Sequence, residues 1–287
     1  MTPAVTAVVL GAAGLHAAWN ALAHGLEDRL GTMVMIQAAS LAIGLSWLPF
    51  VGAPAAGAWP WLLGSAALHV AYNLLLLETY RLGDFGQVYP IARGTSPWVT
   101  ALIGVTLLHE YLTVTQTVGV VVISAGMLVL ALAGGIPRRT EAAAVLAALA
   151  TGCAIALYTV LDGVGARSSG SAMSYAAWLF VLQSAPTILL LHRRRDPAAA
   201  PNRQRAWGLL GGAMSLAAYT LVIWAQTRGT LATIAALRET SVVIGAIIGT
   251  LIFHETYGRY RIAATVLVLG ALRRSTFRRP WREVVRS

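Results

Sequence analysis

Ten apolar runs, each close to twenty residues long, follow one another along this chain, parted by short stretches rich in Gly, Pro and charge. A helix that crosses the hydrocarbon of a bilayer needs about 20 apolar residues, and ten of them with short connections use up all 287 residues. The runs lie near 3–23, 31–51, 59–80, 86–108, 113–134, 142–163, 171–191, 206–226, 231–252 and 258–274. Unpaired backbone groups are too costly in hydrocarbon for anything but helices or closed barrels. These runs are too long, and alternate too little, to be barrel strands. The last run is the weakest. Only Ile262 to Leu272 is continuously apolar, and Arg259, Arg261, Arg273 and Arg274 must reach toward the headgroups.

Composition excludes a soluble alternative. Charged residues make up 11% of the chain and hydrophobic ones 57%, where an average soluble domain carries about 25% charged residues. A soluble surface of this size could not be covered with so little charge. The formal charge is +10, and all 21 basic residues are Arg. Arg193, Arg194, Arg195, Arg203 and Arg205 share one loop, and Arg273, Arg274, Arg278, Arg279, Arg282 and Arg286 share the C-terminal segment. Such juxtamembrane clusters suit anionic lipid headgroups. Neither carries the aromatic interleaving or the fold of a nucleic-acid binder, so no nucleic-acid partner is expected. The single cysteine, Cys153, excludes an internal disulfide and a cysteine-based metal cage, and its apolar setting predicts a packing role. No basic segment precedes the first run, so Met1 to Leu22 is expected to remain as a first helix rather than to be cleaved as a signal. Orientation is not set by charge: the loops on one side with the C-terminal segment hold eight Arg and the opposite loops eleven.

Internal similarity is the most informative pattern. His109-Glu110 follows the fourth run and His254-Glu255 the ninth. At the same offset, Arg93-Gly94-Thr95-Ser96 faces Arg238-Glu239-Thr240-Ser241. With two residues of slippage, Ala71-Tyr72-Asn73 faces Ala218-Tyr219-Thr220 and Arg81 faces Arg228, while Ala18-Trp19-Asn20 is similar to Leu157-Tyr158-Thr159. The chain thus divides into two five-helix halves, 1–135 and 140–287, joined through Gly134-Gly135-Ile136-Pro137-Arg138-Arg139. Five is odd, so the second half enters the membrane from the opposite side. The expected fold is an all-α membrane protein with ten transmembrane helices in two inverted five-helix repeats, an arrangement suited to alternating access around a site near the midplane.

Two five-helix halves, with a Glu closing the fourth helix of each, resemble the EamA-type members of the drug/metabolite transporter superfamily, and the resemblance covers essentially the whole chain. Leu15-His16-Ala17-Ala18-Trp19-Asn20 and Tyr89-Pro90-Ile91-Ala92-Arg93-Gly94 are similar to a subgroup of that family linked to phosphonate utilisation. The resemblance implies ten helices in the cytoplasmic (inner) membrane, both termini cytoplasmic, and transport of metabolites, amino acids or drugs driven by ion gradients or exchange.

Ionisable residues inside a span are costly and point to function. Arg93 and Arg238 lie equally deep in the fourth and ninth runs, each roughly 6 Å from its span centre at 1.5 Å per residue. Inversion sets them on opposite sides of the midplane, bracketing a central cavity, where they can meet an anionic group on a substrate. The structural alternative pairs each with an acid such as Glu78, Asp84, Asp162 or Glu239. Tyr89, Arg93, Ser96 and Thr100 share one face of the fourth helix, and His69, Tyr72, Asn73 and Tyr80 one face of the third. His16, Trp19 and Asn20 do so on the first, Thr151, Tyr158 and Asp162 on the sixth, and Ser215, Tyr219 and Gln226 on the eighth. Five polar stripes on apolar helices predict a shared inner cavity; interhelical hydrogen bonding explains any one of them alone. The expected substrate-binding set is Arg93, Arg238, Tyr89, Ser96, Tyr72, Asn73, Trp19, Asn20, Tyr158, Tyr219 and Ser241. For proton coupling, His16 leads because imidazole titrates near neutral pH, with Asp162, near a span end, second.

The expectation is a secondary transporter of a small anionic or zwitterionic metabolite, with no cofactor and no metal. The second His of a His-Glu-x-x-His zinc site is missing after both Glu110 and Glu255, and no nucleotide-binding P-loop pattern occurs. A lipid-linked carrier flippase and an amino-acid or drug exporter are the alternatives within the fold. An intramembrane enzyme needs a nucleophile elbow, a metal or paired carboxylates, and the sequence offers none of these patterns.

Overall fold

The computed structural model describes residues 1–24, 29–132, 137–192, 202–242 and 244. Among them are nine α-helices and no strand: α1 (Pro3–His24), α2 (Arg29–Val51), α3 (Trp59–Leu82), α4 (Phe85–Thr106), α5 (Val114–Leu132), α6 (Ala142–Ser168), α7 (Ala172–His192), α8 (Asn202–Gln226) and α9 (Leu231–Arg238). Each falls on one of the apolar runs. The six helices α2, α3 and α5 to α8 are long and apolar enough to cross a membrane. The tenth run, the His254-Glu255 pair and the C-terminal arginines lie outside the described residues, as do Arg193, Arg194 and Arg195.

Among the described residues, large apolar side chains cover much of the outside, and many polar ones are buried within the apolar packing. Leu63, Leu102, Val121, Leu146 and Leu189 are all more than half exposed on the helix exteriors. Thr79, Thr100, Thr151, Thr159, Asp162, Ser184 and Gln226 are wholly buried. Lipid reverses the usual sorting because it offers apolar side chains no worse a solvent than the protein does, while polar groups must find partners inside. Cys153 lies on the exposed face of α6, so its apolar setting is the surface of that helix, not the packed interior expected for it.

Helix pairing positions the centre. α3 packs on α6 and α7, and α1 on α8 and α9. α2 packs on α7 and α8, and α4 on α5, α6 and α9. Small residues allow the closest crossings. A Cβ at Gly152 of α6 would stand 2.6 Å from the Ala92 carbonyl oxygen of α4, and one at Gly212 of α8 2.7 Å from the Ile36 carbonyl oxygen of α2.

Turn chemistry sets the ends. Asp84 caps α4 by accepting from the Gly86 N–H at 2.8 Å. α6 runs to Ser168, past the end of its apolar run, because its last charged residue is well partnered. Arg167 donates to Glu110 at 3.0 Å, to the Gln226 carbonyl at 2.9 Å and to the Gly229 carbonyl at 2.7 Å. Glu110 in turn accepts from the Leu231 N–H at 2.9 Å, supplying the N-terminus of α9 with an acceptor that its own cap residue does not provide. One arginine and one glutamate thus clasp the end of α6, the segment after α4 and the turn between α8 and α9.

Candidate functional site

A cavity of about 150 Å³ lies between the helices, with walls from α1, α2, α3, α4, α6, α7, α8 and α9. Of the residues expected to bind substrate, Arg93, Arg238, Tyr72, Asn73, Tyr158, Tyr219 and Ser241 line it, and so does His16. Tyr89 and Ser96 do not. Tyr89 packs beside Met127, Leu130 and Val242, and Ser96 is buried in the helix packing. Trp19 and Asn20 fall among residues whose side chains lie outside the described ones. Tyr80, on the α3 stripe, turns instead to the Val88, Ala92 and Ala148 cluster, so that stripe reaches the cavity only over His69, Tyr72 and Asn73.

The two arginines differ in their surroundings. Arg93 is buried and its Nε lies 2.8 Å from Glu239 Oε2, an ion pair without an aligned hydrogen bond, while its Nη2 donates to Ser241 Oγ at 3.4 Å. Of the acids that sequence offered as partners, the structure pairs Glu239 with Arg93. Arg238 holds its guanidinium carbon 5.5 Å from the centre of the Tyr219 ring, and its buried Nη1 has no hydrogen-bond partner among the described residues. A cation over a ring face gains from the ring quadrupole, but a bare guanidinium N–H out of water leaves a donor unsatisfied.

Aromatic rings form a continuous wall. His69 stacks on Tyr158 at 3.9 Å between centroids, and Tyr72 meets Tyr158 edge-on at 5.5 Å. Tyr219 meets His69 at 5.5 Å and Phe180 at 6.2 Å. Edge-to-face and stacked contacts of this kind fix ring orientation. Two amides also line the cavity: Gln37 of α2, whose Oε1 accepts from Ser184 Oγ at 2.9 Å, and Gln183 of α7. Sequence reading passed over both glutamines, although an amide side chain in an apolar span is itself a signal.

Behind this wall lies Asp162, wholly buried in α6. Its position late in the apolar run suggested a span end, but three helices enclose it. Oδ1 accepts from Ser65 Oγ of α3 and from Tyr175 OH of α7 at 3.1 Å; Oδ2 accepts from Tyr219 OH of α8. His69 Nε2 stands 4.0 Å from Oδ2. Tyr219 and His69 therefore connect the carboxylate with the cavity. Nothing in the sequence around Ser65 or Tyr175 marks them as its partners, because the contacts join different helices.

Residues 142–273 match the model of the EamA-like transporter family, in agreement with the resemblance to the drug/metabolite transporter superfamily carried by the sequence motifs. A solved crystal structure of another protein shares the fold, with a TM-score of 0.79 at 20% identity, over 96% of this chain and 99% of that one. No curated protein matches the sequence. The six long apolar helices and the family match over residues 142–273 indicate a multi-pass membrane protein, and the matched family is one of transporters.

Proposed function

We propose that the chain is a secondary transporter that carries a small anionic or zwitterionic metabolite across the cytoplasmic membrane by alternating access. The observation that carries this reading is Arg238: a cation on the wall of a cavity, with a buried N–H that no group among the described residues accepts. A carboxylate or phosphonate oxygen is the partner that guanidinium geometry suits best. Arg93 plays a different part in this conformation, because Glu239 offsets its charge. The bracketing pair then works in turn. Glu239 adjoins Arg238 in sequence, and in the other access state it screens that cation and releases Arg93 to the substrate.

Tyr72, Asn73, Tyr158, Tyr219 and Ser241 complete the binding wall. The cavity volume supports a metabolite over a drug-sized or lipid-linked cargo, since drug pockets run from about 300 to 1,000 Å³.

Residues 1–135 and 140–287 are the two inverted repeats on this reading. The helix pairing supports it. Exchanging α1 with α6, α2 with α7, α3 with α8 and α4 with α9 turns the α3–α6 contact into α8–α1, α2–α8 into α7–α3 and α4–α6 into α9–α1, and all of these contacts occur. The basic loop and C-terminal segment meet anionic headgroups, and both termini are cytoplasmic.

Uptake and counterflow in proteoliposomes test the assignment, with phosphonates, carboxylates, neutral amino acids and cationic drugs offered with and without a pH gradient. Movement of an anion or zwitterion that is lost in Arg238→Ala supports it. Movement of cations or lipids alone, or normal transport by that variant, refutes the substrate class.

A further inference from the structure

We propose that Asp162 and His69 together hold one exchangeable proton and form the site through which transport is coupled to pH. The inference rests on the transporter reading but concerns a site behind the cavity, and its geometry fixes where the proton goes. His69 Nδ1 lies 3.0 Å from the Ser65 carbonyl oxygen. A carbonyl only accepts, so Nδ1 carries hydrogen whether the ring is neutral or charged. The Ser65 hydroxyl spends its own hydrogen on Asp162, and its oxygen receives Nδ1–H at 3.2 Å. Nε2 is then the ring nitrogen whose protonation can change, and it is the atom that stands 4.0 Å from Asp162 Oδ2.

With both groups unprotonated, a bare nitrogen lone pair faces a carboxylate and the pair carries one net negative charge. One added proton, on Nε2 or on Oδ2, turns the contact attractive and makes the pair neutral overall. A second proton would leave an uncompensated buried imidazolium, which burial strongly disfavours. The site is built for a single proton. Three hydroxyl donors, from Ser65, Tyr175 and Tyr219, keep the carboxylate satisfied when that proton leaves. His69 and Tyr219 both line the cavity while Asp162 has no exposure, so the proton enters from cavity water through Nε2.

Among the described residues, the charged and titratable groups around the pair are few. From α3 come His69 and Tyr72, from α7 Tyr175 and from α8 Tyr219; Tyr158 lies on α6 itself. α4 brings Arg93, whose charge Glu239 offsets, α9 brings Arg238, and His16 faces the same cavity from α1. Arg238 is thus the one cation near the pair without an acid paired to it among the described residues. It lies over the ring of the tyrosine whose hydroxyl donates to Asp162. An anion docked on Arg238 cancels the cation that favours the deprotonated pair, so anion and proton binding favour each other, and by linkage the effect is mutual. The two travel together in one direction.

Acid titration of the purified full chain in nanodiscs, followed by infrared difference spectroscopy with no substrate added, tests this directly. The expected result is one protonation event with carboxyl and imidazole signatures, lost in Asp162→Asn and in His69→Gln. Tyr219→Phe removes one donor to the carboxylate and is expected to raise the midpoint by about one pH unit, a tenfold gain in proton affinity. An event that persists in both Asp162→Asn and His69→Gln overturns the proposal. If neither of those variants folds, an unchanged midpoint in Tyr219→Phe overturns it. Since no substrate is present, failure here is separable from failure of the transporter reading. Transport without this titration refutes only the proton site, and titration without any transported compound refutes only the function.

Discussion

Arg93 of α4 and Glu239, the residue that follows α9, meet at 2.8 Å with almost no exposure to solvent. They come from opposite halves of the chain, so the contact ties the halves together at the edge of the cavity. Removing one partner leaves a buried charge uncompensated. Glu239→Gln is expected to lower stability by about 3–5 kcal/mol, read from thermal unfolding in detergent. Arg93→Met combined with Glu239→Gln should recover most of that loss. A single variant as stable as the parent would show that the pair is not formed in the membrane.

Arg238 has the opposite character. Its loss removes a donor that no described residue matches, so Arg238→Ala should fold at least as well as the parent. Binding of an anionic substrate should weaken by roughly 10- to 100-fold, the effect of about 1.5–3 kcal/mol for a charged hydrogen bond. Arg238→Lys should recover only part of it, because an ammonium lacks the planar fork. Equilibrium binding of the best compound from the uptake screen measures both.

Gly152 lies where α6 crosses α4. Its replacement by Val forces a side chain against the Ala92 carbonyl and Thr95, backbone and a packed neighbour that cannot swing away. A loss of about 1–3 kcal/mol is expected, typical of overpacking. Gly14 of α1 has nothing within 4 Å of an added Cβ, and Gly14→Ala should be neutral or mildly stabilising. Unfolding of the two variants side by side checks the contrast.

Cys153 tests the membrane placement. It is exposed on α6 and lies eleven residues after Ala142, about 17 Å along the helix at 1.5 Å per residue. In intact proteoliposomes it should react with a lipid-soluble maleimide and resist a charged, impermeant one. Rapid labelling by the impermeant reagent would place this face of α6 in water and remove α6 from the spans.

Much of the helix order was legible because apolar runs report what lipid requires. The run 86–108 became Phe85–Thr106, and 171–191 became Ala172–His192. The ends were less so, since caps and clasps decide them: Arg167 carries α6 to Ser168 through carbonyls on the turn after α8, a contact no local pattern announces. Stripes on single helices found Tyr72, Asn73, Tyr158 and Tyr219, because 3.6-residue periodicity is a local property. Tyr89 and Ser96 share that face with Arg93 but do not line the cavity. Asp162 was expected near a span end because the sixth apolar run stops at 163, one residue beyond it. Its survival depends on hydroxyls from Ser65, Tyr175 and Tyr219, and tertiary partners of that kind leave no local trace. The tenth run and the second His-Glu pair lie outside the described residues.

The acid that holds Arg93 has no twin. Where the second half places Glu239 after its arginine, the first half places Gly94. A duplicated chain with matching charges in both halves would be a balanced seesaw, idle equally on either side. Here a single carboxylate weights one arm. On the alternating-access proposal, the empty carrier has a preferred resting side, and the work of tipping it back falls to whatever it carries.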